Sequence, residues 1–364
     1  MTNFSRPQAL ALFSGGLDSI LAAKLIQQQG IDVLGLHFIS PFFGKPEKID
    51  YWRKTYGLPL QPVDVSDDFA RMLTERPHYG FGSVLNPCVD CKILMLRRAR
   101  ELMETSGACC VISGEVLGQR PMSQRRDALN AISRDSGLRG KLLRPLCALH
   151  MDPTEAERDG IIDRELLEKL SGRGRKRQMA LAERFGITDI PTPAGGCRLT
   201  EKENARSYWP ILQYKPNPVA SDFRLANTGR QYWHTETEGG GPFWLIIGRM
   251  QADNDAIMQL ADSRDLLFKT RDFPGPVALG KHFGLDWPTE AVQNAAAFMA
   301  SYSGKAVRHA EASGESVAVR VHSGSLDNPG EVVFSLPSRI TPFNWREFSW
   351  EETSEAVRAE RRIP

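Results

Sequence analysis

The chain has 364 residues, 41% hydrophobic and 25% charged, with a formal net charge of +2. That composition excludes a disordered chain, and no apolar run reaches the ~20 residues needed to cross a bilayer. The near-neutral balance does not by itself argue for a nucleic-acid partner, and the length allows two domains or three.

In chain order, the first half alternates strand and helix. Ala9–Phe13 is an apolar strand that stops at Ser14-Gly-Gly-Leu-Asp-Ser19, and a helical pattern runs on from Ile20 to Gln29. Strand, glycine loop and helix are the layout that binds phosphate. Gly15 and Gly16 can take backbone angles closed to other residues, so successive amides can face one anion, and the helix N-terminus adds partial positive charge. No Gly-Lys-Ser/Thr closes the loop, so it is not a Walker loop. Further strands are expected at Ile31–Phe38, Gln61–Val65, Cys109–Ser113 and Lys141–Leu146, with a helix at Lys92–Glu104. This rhythm predicts an α/β fold, a parallel sheet with helices on both faces, with ligands beyond the carboxyl ends of its strands. The phosphate loop, His37 and Gly114 all fall at such ends.

Ile161–Phe185 has a charged helical pattern that includes the basic run Arg173, Arg175, Lys176 and Arg177, a candidate contact for RNA phosphates. Ile190–Cys197 is too rich in Pro and Gly for helix or strand. Composition shifts around Tyr214–Ala220, which gives the expected division: a first domain over 1–212, a smaller α+β domain over 213–350 and a frayed charged tail over 351–364. In the second domain, strands are expected at Trp244–Ile247, Leu266–Lys269, Val277–Gly280, Ser316–Val321 and Glu331–Ser335. Helices are expected at Asp253–Ala261 and Ala291–Tyr302. The aromatics Tyr232, Trp233 and Trp244 are either base-stacking residues or core, and core is the commoner fate.

The N-terminal residues lack an apolar signal core, which predicts a cytoplasmic protein with no membrane partner. Six cysteines in a reducing compartment are not a disulfide framework. Cys88 and Cys91 form a Cys-x-x-Cys just ahead of a helix, and Cys197 closes Ala194-Gly-Gly-Cys197. Three thiolates in one pocket suit a 4Fe–4S cluster with one iron left open, and a pair of thiols alone suits a redox couple. Cys109 and Cys110 lie in an apolar strand and read as core, and Cys147 fits either role.

Four segments together resemble the PP-loop tRNA thiouridine synthetases, thiI-like and mnmA-like: Ser14–Ser19, Asn86-Pro-Cys-Val-Asp-Cys91, Leu143-Arg-Pro-Leu146 and Ala194–Cys197. The resemblance implies an adenine nucleotide alpha hydrolase-like fold and ATP-dependent thiolation of tRNA. A uridine carbonyl oxygen is adenylated with release of pyrophosphate, and sulfur then displaces AMP. It implies that Ser14, Gly15, Gly16, Asp18 and Ser19 hold ATP with Mg2+, and that Cys88, Cys91 and Cys197 handle sulfur, with a cluster where all three are present. His37 and Gly114 are candidate nucleotide neighbours, Asp18 a candidate catalytic metal contact, and Lys141 and Arg144 candidates to neutralise the adenylate phosphate. The sulfur donor is sulfide or a cysteine desulfurase. The resemblance to thiI-like enzymes does not extend to their ferredoxin-like and THUMP segments, because the phosphate loop stands at residue 14. The carboxyl half instead resembles the RNA-binding domain of NFACT proteins, through Ile247-Gly-Arg-Met250, Asp253-Asn-Asp255, Asp272-Phe-Pro-Gly275, Ala295–Ser303 and Asn328-Pro-Gly330. The alternatives are a PP-loop sulfurtransferase or amidotransferase for a small molecule, an RNA desulfidase, and a non-catalytic RNA-binding protein.

Overall fold

A computed structural model describes residues 8–191, 196–236, 241–284 and 286–360. They fall into two compact units, Met1–Thr200 and Glu201–Pro364. The sequence-based division at 212 falls within a helix, Lys202–Tyr214, that packs on other helices of the second unit.

The first unit carries β1 (Ala9–Leu12), α1 (Leu17–Gln27), β2 (Val33–Ile39), α2 (Ile49–Tyr56), β3 (Leu60–Asp64), α3 (Ser66–Glu75) and α4 (Cys88–Ser106). After these come β4 (Cys110–Ile112), α5 (Arg126–Asp135), β5 (Leu142–Leu143), α6 (Glu155–Arg158) and α7 (Lys176–Arg184). The five strands pair in parallel in the order β3-β2-β1-β4-β5. Strand periodicity sorts the core. Ala9 and Ala11 face Leu21, Leu25 and Trp52 on one side, while Leu10 and Leu12 face Ile93, Leu96 and Ile132 on the other. The small alanines let α1 lie close to β1, and both faces are covered as a parallel sheet requires. The chain runs outward from β1 through β2 to β3, then returns to β4 on the other side of β1. The crevice between β1 and β4 is therefore the switch point where such folds bind ligands.

The helical expectation for Ile161–Phe185 holds only from Lys176 onward. Ahead of it the chain is tied to the end of β5 by Glu168 N–H to Pro145 O at 2.9 Å and Leu170 N–H to Leu146 O at 2.8 Å. Those bonds satisfy the backbone without a helix.

The second unit contains α8 (Lys202–Tyr214), α9 (Ala220–Ala226), β6 (Arg230–His234), β7 (Phe243–Ile247), α10 (Gln251–Leu260), β8 (Leu266–Thr270) and β9 (Val277–Lys281). It ends with α11 (Thr289–Ala300), α12 (Gly304–Ser313), β10 (Val317–Ser323), β11 (Gly330–Ser335) and α13 (Trp350–Glu360). Its strands form an antiparallel sheet in the order β11-β10-β8-β9-β7-β6. The alanine-rich α11 packs on one face over Val317, Val319 and Phe268. The stretch expected to fray beyond residue 350 is helix α13 as far as Glu360, and it buries Thr353 and Val357 while packing on α8. Trp233 and Trp244 stack at 5.1 Å and are buried, so both are core.

Candidate functional site

The loop after β1 is shaped by its own side chains. Ser19 Oγ donates to Gly16 O at 2.7 Å and accepts from Ser14 N–H at 3.3 Å, while Gly16 N–H donates to Ser14 Oγ at 3.3 Å. Gly15 has φ +76, and a Cβ there would lie 2.4 Å from the Trp52 ring, so only glycine fits. Gly16 is the N-cap of α1; its carbonyl takes the Ser19 and Ile20 amides at 3.1 and 3.2 Å, and the amides ahead of them have no i−4 partner within the helix. Asp18 Oδ2 accepts from Gln119 Nε2 at 3.1 Å. Its Oδ1 is buried with no hydrogen-bond partner among the described residues. An orphaned carboxylate oxygen beside an amide-lined loop fits a hard cation such as Mg2+ carried with a polyphosphate.

Gly114, just beyond β4, completes the crevice. A Cβ there would sit 2.6 Å from Asp18 O and 2.7 Å from Ser19 N, so the β4 end and the start of α1 touch backbone to backbone. His37 is buried behind the loop rather than lining it. Lys45 N–H donates to its Nε2 at 2.8 Å, so its Nδ1–H donates to Phe13 O at 3.0 Å. Both ring nitrogens are thus spent on backbone. Arg144 is likewise buried, donating to Glu115 Oε2 at 2.9 Å, Ser133 Oγ at 3.0 Å and Leu129 O at 3.2 Å. It braces β4 against β5 and α5 and is not the phosphate neutraliser suggested by its place in the sequence.

Cys88 and Cys91 stand one turn apart on the first turn of α4. Asn86 shapes the approach: its Oδ1 accepts from Val84 N–H at 3.2 Å and its Nδ2 donates to Cys88 Sγ at 3.2 Å. Asp90, between the two cysteines, folds the preceding loop back by accepting from the amides of His78 and Tyr79, both at 3.0 Å. The segment after Cys197 is fastened to the same place by Leu85 N–H to Leu199 O at 3.2 Å, and to the β2 end by Arg198 N–H to Phe42 O at 2.9 Å. Ala194 and Gly195 of the Gly-Gly-Cys segment lie outside the described residues. Burial pushes the Cys91 thiol up, and the nearby Cys197 and Cys88 thiols push it further, with the Lys92 ammonium opposing them. Helix α4 runs back to the start of β4, so its first turn, with Cys88 and Cys91, stands toward the carboxyl edge of the sheet, the edge at which β4 ends ahead of Gly114. The donor set is that of a thiolate-held cluster. As placed, no group of three Cys, His, Asp or Glu among the described residues forms a metal cage.

Cys110 and Cys147 are buried, and Cys147 Sγ donates to Glu115 O at 3.3 Å. Arg173, Arg175, Lys176 and Arg177 lead into α7, where Arg177 is engaged by both oxygens of Glu168 at 2.7 and 3.0 Å. A separate cleft of about 910 Å³, lined by Arg71, Arg97, Arg98 and Arg134 among other residues, opens by α3, α4 and α5. Its arginines are largely paired with Asp68, Glu101 and Asp135. Trp52, Asn86, Lys92 and Gln119 escaped the sequence reading as site residues. Of these only Asn86 lay within a motif that could have pointed to it, and Lys92 directly follows that motif. No helix among the described residues is long and apolar enough to cross a membrane.

Residues 4–156 match the family described as thiamine biosynthesis protein (ThiI). Over 151 residues the chain is 26% identical to the probable tRNA sulfurtransferase of Thermococcus kodakarensis, covering 39% of this chain and 37% of that protein. Over 127 residues it is 33% identical to the tRNA-specific 2-thiouridylase MnmA of Nitratidesulfovibrio vulgaris, covering 30% of this chain and 35% of that protein. The chain thus spans well under half the length of these curated relatives. The U34-tRNA thiolase NcsA from Methanococcus maripaludis, solved with its 4Fe–4S cluster, overlaps 52% of this chain and 61% of its own. Its TM-score is 0.28 at 15% identity, a likeness too loose to argue from.

Proposed function

We propose, from the match of residues 4–156 to the ThiI family, that this chain is an ATP-dependent tRNA sulfurtransferase. The observation that supports the reading is topological: the phosphate loop follows β1, and the first turn of α4 and the segment after Cys197 meet the same carboxyl edge of the sheet.

The chemistry runs in two displacements. A uridine carbonyl oxygen attacks the α-phosphorus of ATP, the bond to the β-phosphate oxygen breaks, and pyrophosphate departs. The loop amides and the α1 N-terminus stabilise the charge that builds on the leaving group, and Asp18 Oδ1 is placed for the cation that accompanies it. The uridine oxygen has then become a phosphate ester oxygen, a far better leaving group. A sulfur nucleophile adds to the activated carbon, the carbon–oxygen bond breaks, and AMP leaves. Cys88, Cys91 and Cys197 are the residues that would hold a 4Fe–4S cluster; when bound it supplies an open iron to carry sulfide. Lys92 partly offsets the burial that holds the Cys91 thiol protonated. Water must be kept from the activated carbon, and the buried flank of His37, Trp52 and Phe13 helps to do so.

The second unit is read as the RNA-holding part, of the NFACT type, and the basic run Arg173–Lys176 as a further phosphate contact. The test is anaerobic: purified chain, ATP, sulfide and bulk tRNA, with pyrophosphate release followed alongside thionucleoside content. The reading expects tRNA-dependent pyrophosphate release coupled to new thiouridine. It also expects Cys197→Ser to retain ATP binding but to lose the thiouridine. Pyrophosphate release indifferent to tRNA, or thiouridine made by Cys197→Ser, overturns it.

A further inference from the structure

The second unit leaves part of one sheet face open. Helix α11 covers the other face of β8, β10 and β11 through Val317, Val319, Phe268 and Val333. Strand alternation therefore turns Val332 and Phe334 of β11 away from that core, and they are 40% and 65% exposed. β11 is the edge strand, so nothing in the sheet lies beyond it.

The register defines what shares this face. Val332 pairs with Arg320 of β10, and Arg320 pairs with Lys269 of β8, which makes one row straight across three strands. Phe334 pairs with Ala318, whose carbonyl accepts from Arg271 N–H at 2.9 Å, which makes a second row. Arg320 and Lys269 are exposed. Arg271 pairs with Asp272 at 2.8 Å, and Asp272 also feels Arg320. The patch therefore holds three cations against one carboxylate around an uncovered aromatic ring. Ala318 contributes no bulk between Phe334 and Arg271. An exposed ring costs solvation and gives nothing to this core. Beside cations on a flat sheet it is a stacking platform for a base, with the phosphates crossing the adjacent strands. A second copy of the chain pairing at the β11 edge would meet the same cations, which like charge disfavours.

We propose that the β11–β10–β8 face, centred on Phe334, binds single-stranded RNA. Given the tRNA reading above, on which the biological identity of the ligand rests, this would be an unpaired segment of the substrate. The direct test does not use thiolation. Fluorescence anisotropy with a labelled oligouridylate and the full chain is compared for wild type, Phe334→Ala, Phe334→Trp and Lys269→Glu/Arg320→Glu. Phe334→Ala should weaken binding about fivefold or more, and Phe334→Trp should restore it. The double charge reversal should weaken binding and flatten its salt dependence by about one unit of slope. Melting temperatures guard against unfolding. Unchanged affinity in a folded Phe334→Ala, or no binding by wild type, overturns the proposal and leaves the thiolation test standing. A wild-type dimer in sedimentation that Phe334→Ala dissolves would assign the face to a second copy instead.

Discussion

Arg144 Nε and Glu115 Oε2 lie 2.9 Å apart with side chains only 6% and 2% exposed, an ion pair sealed inside the first unit. Burial alone would raise the Glu115 carboxyl, but Arg144 and Lys92 outweigh it and hold it below the usual carboxylate range. A depressed folded-state pKa contributes stability above the unfolded pKa and loses it as pH falls through the folded one. Removing one partner leaves a bare charge in the interior. Arg144→Met should therefore cost about 3–5 kcal/mol in urea unfolding at neutral pH. Glu115→Gln/Arg144→Met should recover much of that loss. Equal stability of the single variant and wild type would mean that the pair does not brace β4 against β5.

The contact of Gly114 with the start of α1 makes a sharper prediction about ATP. In Gly114→Ala the new methyl would meet Asp18 O at 2.6 Å and Ser19 N at 2.7 Å, both backbone atoms that cannot swing aside. α1 must shift away from β4, and the loop amides turn with it. ATP affinity measured by titration calorimetry should fall about tenfold or more, the scale expected when a positioned anion site is displaced. Gly16→Ala is the contrast, since its nearest neighbour would be Ser14 Oγ at 3.4 Å and its φ is negative. It should fold like wild type. A Gly114→Ala protein that binds ATP normally would remove this glycine from the site.

The thiols permit a test that needs no RNA. If Cys88, Cys91 and Cys197 share one cluster, anaerobic reconstitution with iron and sulfide should give wild type a broad visible band. Each single serine variant should lose most of its bound iron. Cys147→Ser should keep it, because Cys147 is buried and donates to Glu115 O. Full iron content in Cys197→Ser would leave the Cys88–Cys91 pair with a separate role.

The phosphate loop was legible because glycine, serine and helix start are a local code. Gly15 needs a left-handed φ, Ser19 turns back on Gly16, and the apolar run before them has to be a buried strand. The Cys88–Cys91 spacing was legible for the same reason. The Arg144 role was not: nothing near residue 144 announces that a carboxylate 29 positions earlier is waiting just past the neighbouring strand. Helix α13 was missed because its burial depends on α8, which lies far away in sequence. β6 was missed because Arg230 and Gln231 look polar. In the fold, Gln231 is buried, donating to Leu225 O at 3.1 Å and accepting from Trp244 Nε1 at 2.9 Å. Local backbone chemistry can be read from a chain, whereas long-range pairing of polar groups cannot.

His37 links this packing to pH. Its Nε2 must stay unprotonated to accept from Lys45 N–H, while its Nδ1–H holds Phe13 O, the carbonyl just before the phosphate loop. Burial lowers its pKa, and the Phe13 carbonyl and the Glu47 carboxylate only partly restore it. The unfolded chain therefore takes up a proton near pH 6.5 while the folded one resists, so stability falls as pH drops below about 6.5. The fall should approach ~1.4 kcal/mol per pH unit for this one proton until the folded imidazole itself titrates. Urea midpoints of wild type and His37→Gln between pH 7.5 and 5 isolate the effect. The variant should be less stable at neutral pH and show a shallower slope on the acid side. Parallel slopes would mean that the imidazole takes up its proton alike in both states, and that its bonds to Lys45 N–H and Phe13 O do not resist protonation.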